Sequence, residues 1–485
     1  MIETILIYPL IISIILIILK SKWLNNVLLC SYSLVIGYNS LTIYNELINK
    51  GKIGYNKFGA YFNIDNLNIL FLLVLAIIFI GICFYNIKYV KELEKDKTEH
   101  TYYTVSLILF VFSMTGTILS ANLGLSWVLL EATTLVSTYL IYINKTRDAI
   151  EATWKYIFIC SIGIALAFVG IIILSIGMGE LNTLFYEELY SNASQIDPFW
   201  LNLSFIFILI GIGTKMGLAP IHAWLPDAHS EAPSPISALL SATLLNSAFI
   251  IILRMYKLME ITNNSYYPKI LLIFMGLLSL FITAIFVFNI HNYKRMLGYS
   301  SIENMGIIVI GIAIGGIGIY AALLHLISHS FLKASSFLTA GNILKMFQTI
   351  KIDEVRGIIA INNKTGWLWM ICMFGILGFP PSPIFISEFL MIKAMLINNQ
   401  ISLLIVFVLL LTIIIYGMSK VSIQMCFGNS NIEIISEKDN AKIKLPLSMY
   451  LPQIIFLIFI LILGIYIPSN INDLIDNAAK AISLM

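Results

Sequence analysis

Long apolar runs limit what this chain can fold into more than any other feature. Runs of roughly 18 to 25 residues recur along it, the length a helix needs to cross the hydrocarbon core of a bilayer. Fourteen are counted, beginning near Ile5, Trp23, Leu67, Thr104, Leu119, Tyr156, Trp200, Pro235, Ile270, Tyr299, Tyr320, Thr365, Ile401 and Leu447. Lipid offers no hydrogen-bond partner to the backbone, so such runs must close their bonds internally as helices. The fold class is therefore an all-α integral membrane protein of about 14 transmembrane helices, and residues 1–485 read as a single polytopic membrane domain. Composition agrees, since 11% of the residues are charged where a soluble domain carries about 25%. The first run, close to Met1, lacks a charged n-region and a small-residue cleavage site, and reads as a retained helix. A net charge of +3 makes no case for nucleic acid. Cys30, Cys83, Cys160, Cys372 and Cys426 form no CxxC pair, so neither a disulfide framework nor an iron–sulfur or zinc site is indicated. The expectation is no cofactor in this chain, with any redox centre on a partner.

Basic residues set the expected orientation. With fourteen spans, nineteen of the 29 lysines and arginines fall on one side, among them Lys20, Lys88, Lys97, Arg147, Lys294, Arg295 and Lys351. Seven fall on the other, Lys50, Lys52, Lys57, Arg254, Lys257, Lys269 and Lys480, together with an acidic stretch from Glu180 to Asp197. The positive-inside rule puts the first side in the cytoplasm and both termini outside. Lys215, Lys333 and Lys393 remain, inside apolar runs.

Charges inside the membrane are where function is sought, because each costs at least about 2.5 kcal/mol to insert. Glu131 lies near the centre of LSWVLLEATTLVSTYLI, either on a transport path or tied to a neighbouring helix. Lys215 lies in LIGIGTKMGLAPIHAWLP, where glycines and Pro220 allow a break in the helix or a simple kink. His325, His329 and Lys333 recur every four residues in LLHLISHSFLKASSFL and share one helix face. Three stacked titratable groups suit a relay; HxxxH is also metal-ligand spacing, but no third ligand is near, and packing is the remaining alternative. Serines Ser328, Ser330, Ser335 and Ser336 offer sites for water along the same helix. Glu388 follows Pro380, Pro381 and Pro383 in FGILGFPPSPIFISEFLMIK, so two separated segments each join a Pro/Gly break to a buried charge. Paired interruptions of this kind point to an inverted-repeat transporter with sites at mid-membrane. Lys393 is off the Glu388 face and reads as a snorkelling residue.

HAWLPDAHSEAPSPISALLSA from His222, HNYKRMLGYSSIENMG from His291 and HLISHSFLKASSFLTAG from His325 resemble the antiporter-like proton-pumping subunits. That family comprises the large membrane subunits of complex I, multisubunit cation/proton antiporters and membrane-bound nickel-iron hydrogenases. The resemblance runs from Leu67 to Phe427, and WVLLEATTLVSTYLI and EATWKYIFICSIGIALA look most like the F subunit of the hydrogenase-4 and formate-hydrogenlyase type.

The resemblance implies two inverted five-helix repeats, 102–258 (helices 4–8) and 268–425 (helices 9–13), with helices 7 and 12 broken. It further implies that Glu131 pairs with Lys215, that Lys333 is the central lysine with His325 and His329 beside it, and that Glu388 is the terminal charge. His222, Asp227, His229 and Asn246 are accessory candidates; Asn246 stands where some relatives carry a lysine, and an amide takes up no proton at ordinary pH. The expected function is proton translocation in a redox-driven complex, with other membrane subunits and peripheral nickel-iron or iron–sulfur subunits as partners. The alternatives are a secondary cation/proton antiporter subunit and a non-conducting structural subunit.

Overall fold

The computed structural model describes residues 1–50, 60–91, 96–181, 183–428 and 445–482. Lys52, Lys57, Lys95, Lys438, Lys442 and Lys444, counted for orientation, lie outside them. The first half contains α1 (Ile2–Leu19), α2 (Lys22–Lys50), α3 (Asn66–Lys91), α4 (Lys97–Leu119), α5 (Leu123–Tyr142), α6 (Arg147–Met178), α7 (Tyr186–Ser191), α8 (Pro198–Met216), α9 (Trp224–Glu231), α10 (Ser234–Leu239) and α11 (Leu245–Ile261). The second contains α12 (Tyr266–Phe286), α13 (Tyr293–Ile314), α14 (Ile317–Phe347), α15 (Ile358–Ile361), α16 (Asn363–Ile376), α17 (Pro383–Ile397), α18 (Ile401–Phe427), α19 (Leu451–Ile465) and α20 (Ser469–Ile482). Extended pairing among the described residues is confined to isolated bridges, so the protein is an all-α, many-span membrane protein.

Twelve described helices are long and apolar enough to cross a membrane, or thirteen if α19 and α20, bent by 80°, form one span. Helices α6 and α13 start well before their apolar runs do. The side chains of Thr146 and Asn292 accept from the backbone N–H groups of the first turns of α6 and α13, and so extend each helix through charged residues beyond its apolar stretch.

Both breaks read from the sequence are present. Helix α8 opens on an Asp197 cap with Pro198 in its first turn, and stops at Gly217, whose φ of 78° is left-handed. The chain then runs unwound through Pro220 to α9. Helix α16 ends ahead of Gly378, at φ 71°, and α17 restarts at Pro383 under a Ser382 cap. The Ser382 hydroxyl also donates to Gly375 O at 2.8 Å, joining the two half-helices.

Burial sorts the spans into an inner and an outer set. All of the most apolar window in Ser234–Ile261 and in Tyr293–Ile314 is buried, against 39% in α6 and α18, whose remaining surface suits lipid. The two fully buried spans nevertheless hold charged and amide side chains, Asn246 and Arg254 in one and Lys294, Glu303 and Asn304 in the other. Small residues bring helices together: a Cβ at Gly276 would stand 2.7 Å from Gly306 O, so α12 and α13 touch backbone to backbone.

Candidate functional site

Helix α14 is the axis of the site. Its four-residue spacing stacks His325, His329, Lys333 and then Phe337 along one face, and all four are fully or almost fully buried. Lys333 Nζ donates to Leu297 O at 2.7 Å and to Ser300 Oγ, both on α13. The two rings of His325 and His329 are in unlike states. The nitrogens of His325 both have neutral partners, Ser387 Oγ at 2.9 Å and Asn304 Oδ1 at 3.0 Å. Neither nitrogen of His329 has any.

A third imidazole reaches this row from the other half of the chain. His229, near the end of α9, stacks on Phe337 with ring centroids 4.9 Å apart, and neither of its nitrogens has a hydrogen-bond partner. Asn246 also reaches α14, donating to Ala242 O and to Ser330 Oγ at 2.8 Å each while its Oδ1 is left unpaired. It follows a π-helical turn, Leu240–Leu244, which re-aims the residues between α10 and α11. Buried polar atoms left unmatched cost about 1–3 kcal/mol each, so their concentration around α14 is bought with stability.

Lys215 occupies the last turn of α8 and is completely buried. Its Nζ donates to Tyr156 Oη at 2.7 Å, and that phenol contacts Ser137 Oγ at 2.6 Å. Glu131 is part-buried and accepts from Thr134 Oγ1 at 3.0 Å and Ser161 Oγ at 3.3 Å. The expected direct pairing of Glu131 with Lys215 is absent. Hydroxyl groups of Tyr156, Ser137 and Thr134 fill the region around the two charges, which stay within electrostatic reach of each other.

At the second break, part-buried Glu388 lies over Gly378, where a Cβ would be 2.5 Å from Oε2. Glycine serves there for both the close approach and the positive φ. His222 lies in the first break beside Pro220 O at 3.1 Å. Asp227 is committed elsewhere: it accepts from Lys155 at 3.0 Å and Arg295 at 2.9 Å, clamping α9 to α6 and α13. Lys393 is exposed, in keeping with a snorkelling role.

Lys294 and Glu303 are buried charges that the sequence reading does not place in the site. The basic-residue count places Lys294 at the cytoplasmic side outside the membrane, but it is buried in the first turn of α13 and donates to Ser230 O at 2.9 Å and Ala232 O at 2.6 Å. An ammonium at the carboxyl end of α9 matches the helix dipole, which explains why it is tolerated inside. Glu303, on α13, is 2% exposed and its Oε2 has no partner. It sits inside the motif YSSIENMG, and its signal was a carboxylate within an otherwise uncharged helical stretch.

Residues 120–413 match the family described as NADH:quinone oxidoreductase/Mrp antiporter, TM. The chain is similar to a hydrogenase-4 component F homolog of Methylacidiphilum infernorum, with 34% identity over 86% of this chain and 87% of that one. It is 30% identical to NAD(P)H-quinone oxidoreductase chain 4 of Prochlorococcus marinus over 58% of this chain, and spans 54% of that relative's length. In fold it is similar to a chain of an archaeal membrane-bound sulfane sulfur reductase, at TM-score 0.89 and 23% identity over 99% of this chain and 97% of that one. A chain of the Mrp complex of Dietzia sp. gives TM-score 0.86 at 16% identity over the same shares, 99% and 97%.

Proposed function

Since the chain belongs to the NADH:quinone oxidoreductase/Mrp antiporter family of membrane subunits, we propose that it translocates protons within a redox-driven complex of the hydrogenase or complex I type. The observation that carries this reading is the row of buried titratable groups through the centre of the bundle. Lys215, His229, His329 and Lys333 are wholly enclosed, whereas the carboxylates at the two ends, Glu131 and Glu388, are part-exposed. A path for a proton needs groups that exchange it inside and carriers that reach a partner or water at the ends.

In this mechanism Tyr156 and Ser137 link Lys215 toward Glu131, since a hydroxyl both donates and accepts. His229 and His329 link the first break to Lys333. Both imidazoles are free to take a proton at one nitrogen and release it from the other. Asn246, with Ser330, orients groups on α14 and carries no proton itself. The energy comes from neighbouring subunits of the complex, which hold the redox centres. We take the half-helices α16 and α17 as one broken span and α19 as another, which makes fourteen spans in two five-helix repeats with both termini outside.

The test is proton uptake by membrane vesicles that contain the assembled complex, at equal abundance of each variant. Lys333→Met and Lys215→Met each remove a titratable group while keeping most of the volume, and are expected to cut uptake by about 10²-fold or more. Loss of one imidazole, in His329→Gln, is expected to cost less, because ordered water can bridge it. Normal uptake by Lys333→Met would defeat the reading. The purified complex should also contain nickel-iron or iron–sulfur subunits; small antiporter subunits in their place would favour a cation/proton antiporter.

A further inference from the structure

We infer that Glu303 is the proton carrier between Lys333 and Glu388, and that His325 on the same stretch is a positioning residue. The inference rests on the transport reading above and adds the step that the row on α14 leaves open.

Geometry supports it from three sides. Helix α13 packs against both α14 and α17, the helices that hold Lys333 and Glu388. Glu303 lies one turn beyond Ser300, the hydroxyl that receives the Lys333 ammonium, and next to Asn304, which holds His325. Its carboxylate is within electrostatic reach of Lys333 and of Glu388. A merely structural counterion would be in ion-pair contact with its lysine. Glu303 is not: Lys333 is held by Leu297 O and Ser300 Oγ, and Glu303 Oε2 is buried without a partner.

His325 is the competing carrier, and its hydrogen bonds argue against it. Both ring nitrogens are occupied, by Ser387 of α17 and Asn304 of α13. Those bonds fix the distance between α13, α14 and α17 around Glu303. To carry a proton, the ring would have to give up one of them.

The step balances as follows. The Lys333 ammonium gives a proton to the Glu303 carboxylate, leaving a neutral amine and a neutral carboxylic acid. Rotation of the protonated side chain then delivers the proton to the Glu388 carboxylate, and Glu303 returns to its anionic form. Lys333 is recharged from the His329 side. No oxidant or co-reactant is consumed.

Vesicles containing the complex, energised by the donor that the purified complex oxidises, decide the matter with two readouts. Proton uptake should fall at least tenfold in Glu303→Gln, as in Lys333→Met, recover in part in Glu303→Asp, and fall less in His325→Gln. Infrared difference spectra during turnover should contain a carboxylic C=O band that disappears in Glu303→Gln and shifts in Glu303→Asp. A structural role would leave that band in place. Uptake by Glu303→Gln within twofold of wild type, with Lys333→Met inactive, overturns the inference and leaves the transport reading standing. Normal uptake by Lys333→Met removes both. Should Glu303→Gln fail to assemble, the Glu303→Asp spectrum still decides, since an unshifted band assigns the proton to another group.

Discussion

Arg254 and Asp65 make the kind of charge pair that the interior row lacks. The guanidinium, near the end of α11, is 2.5 Å from Asp65 Oδ2, contacts Asn68 Oδ1, and lies 5.8 Å from the centre of the Tyr186 ring. Burial alone would raise the Asp65 carboxyl, but the guanidinium outweighs it and holds the group below the usual carboxylate range. A depressed folded value means that the pair stabilises the fold fully above the unfolded carboxylate value of about 4. That contribution is lost as pH falls through the lower folded value. Asp65→Asn is expected to destabilise by about 3 kcal/mol, the lower end for a broken buried pair, because Asp65 keeps 28% exposure. Thermal unfolding in detergent should show a lower Tm at pH 7 and convergence with wild type in strong acid. Equal melting at pH 7 would show the pair to be dispensable. Lys215 and Lys333, by contrast, touch phenol, hydroxyl and carbonyl groups, partners that do not lock one charge state as a carboxylate would.

Two elements are built to be discontinuous. Both breaks combine a positive-φ glycine with a proline a few residues on, and each break adjoins a charge, Lys215 before the first and Glu388 after the second. The pairing was legible in the sequence because glycine and proline punctuate a helix wherever they fall. Where each half-helix aims its charge was not legible. Glu388 rests against Gly378 across the unwound turn between α16 and α17, a contact between residues ten apart. Gly378→Ala is therefore expected to cost roughly 1–2 kcal/mol in backbone strain and to displace the carboxylate. Vesicle proton uptake should fall severalfold while the complex still assembles. Full activity of Gly378→Ala would mean that the position of Glu388 is not set by this contact.

At the scale of the molecule, the basic residues at the ends of the spans record the orientation. Reporters placed after Lys97 and after Lys351 are expected to read cytoplasmic, and one in the Glu180–Asp197 loop external. Asp227 is paired with Lys155 and Arg295, Lys145 with Glu99, and Asp65 with Arg254, whose carbonyl accepts from Tyr190. Reversal of any one of the three reporters would overturn the fourteen-span arrangement and the outward termini with it.

The sequence by itself determined the class of protein, the location of the breaks, and the three-residue row on α14, because hydropathy, proline and helical spacing are properties of one segment at a time. It also singled out Lys215, since a lysine among glycines in an apolar run is visible without a neighbour. Only the tertiary structure decided which polar groups are satisfied. His325 is pinned by Asn304 and Ser387, 21 and 62 positions away, while His329 one turn later is unpinned. Lys294 turned from a loop charge into a buried cap for the same reason, and the neighbours of Glu303, a carboxylate visible in the sequence, were set only by the packing of α13 against α14 and α17. Hydrogen-bond satisfaction depends on what other helices bring to a point in space, and no periodicity within one helix encodes it.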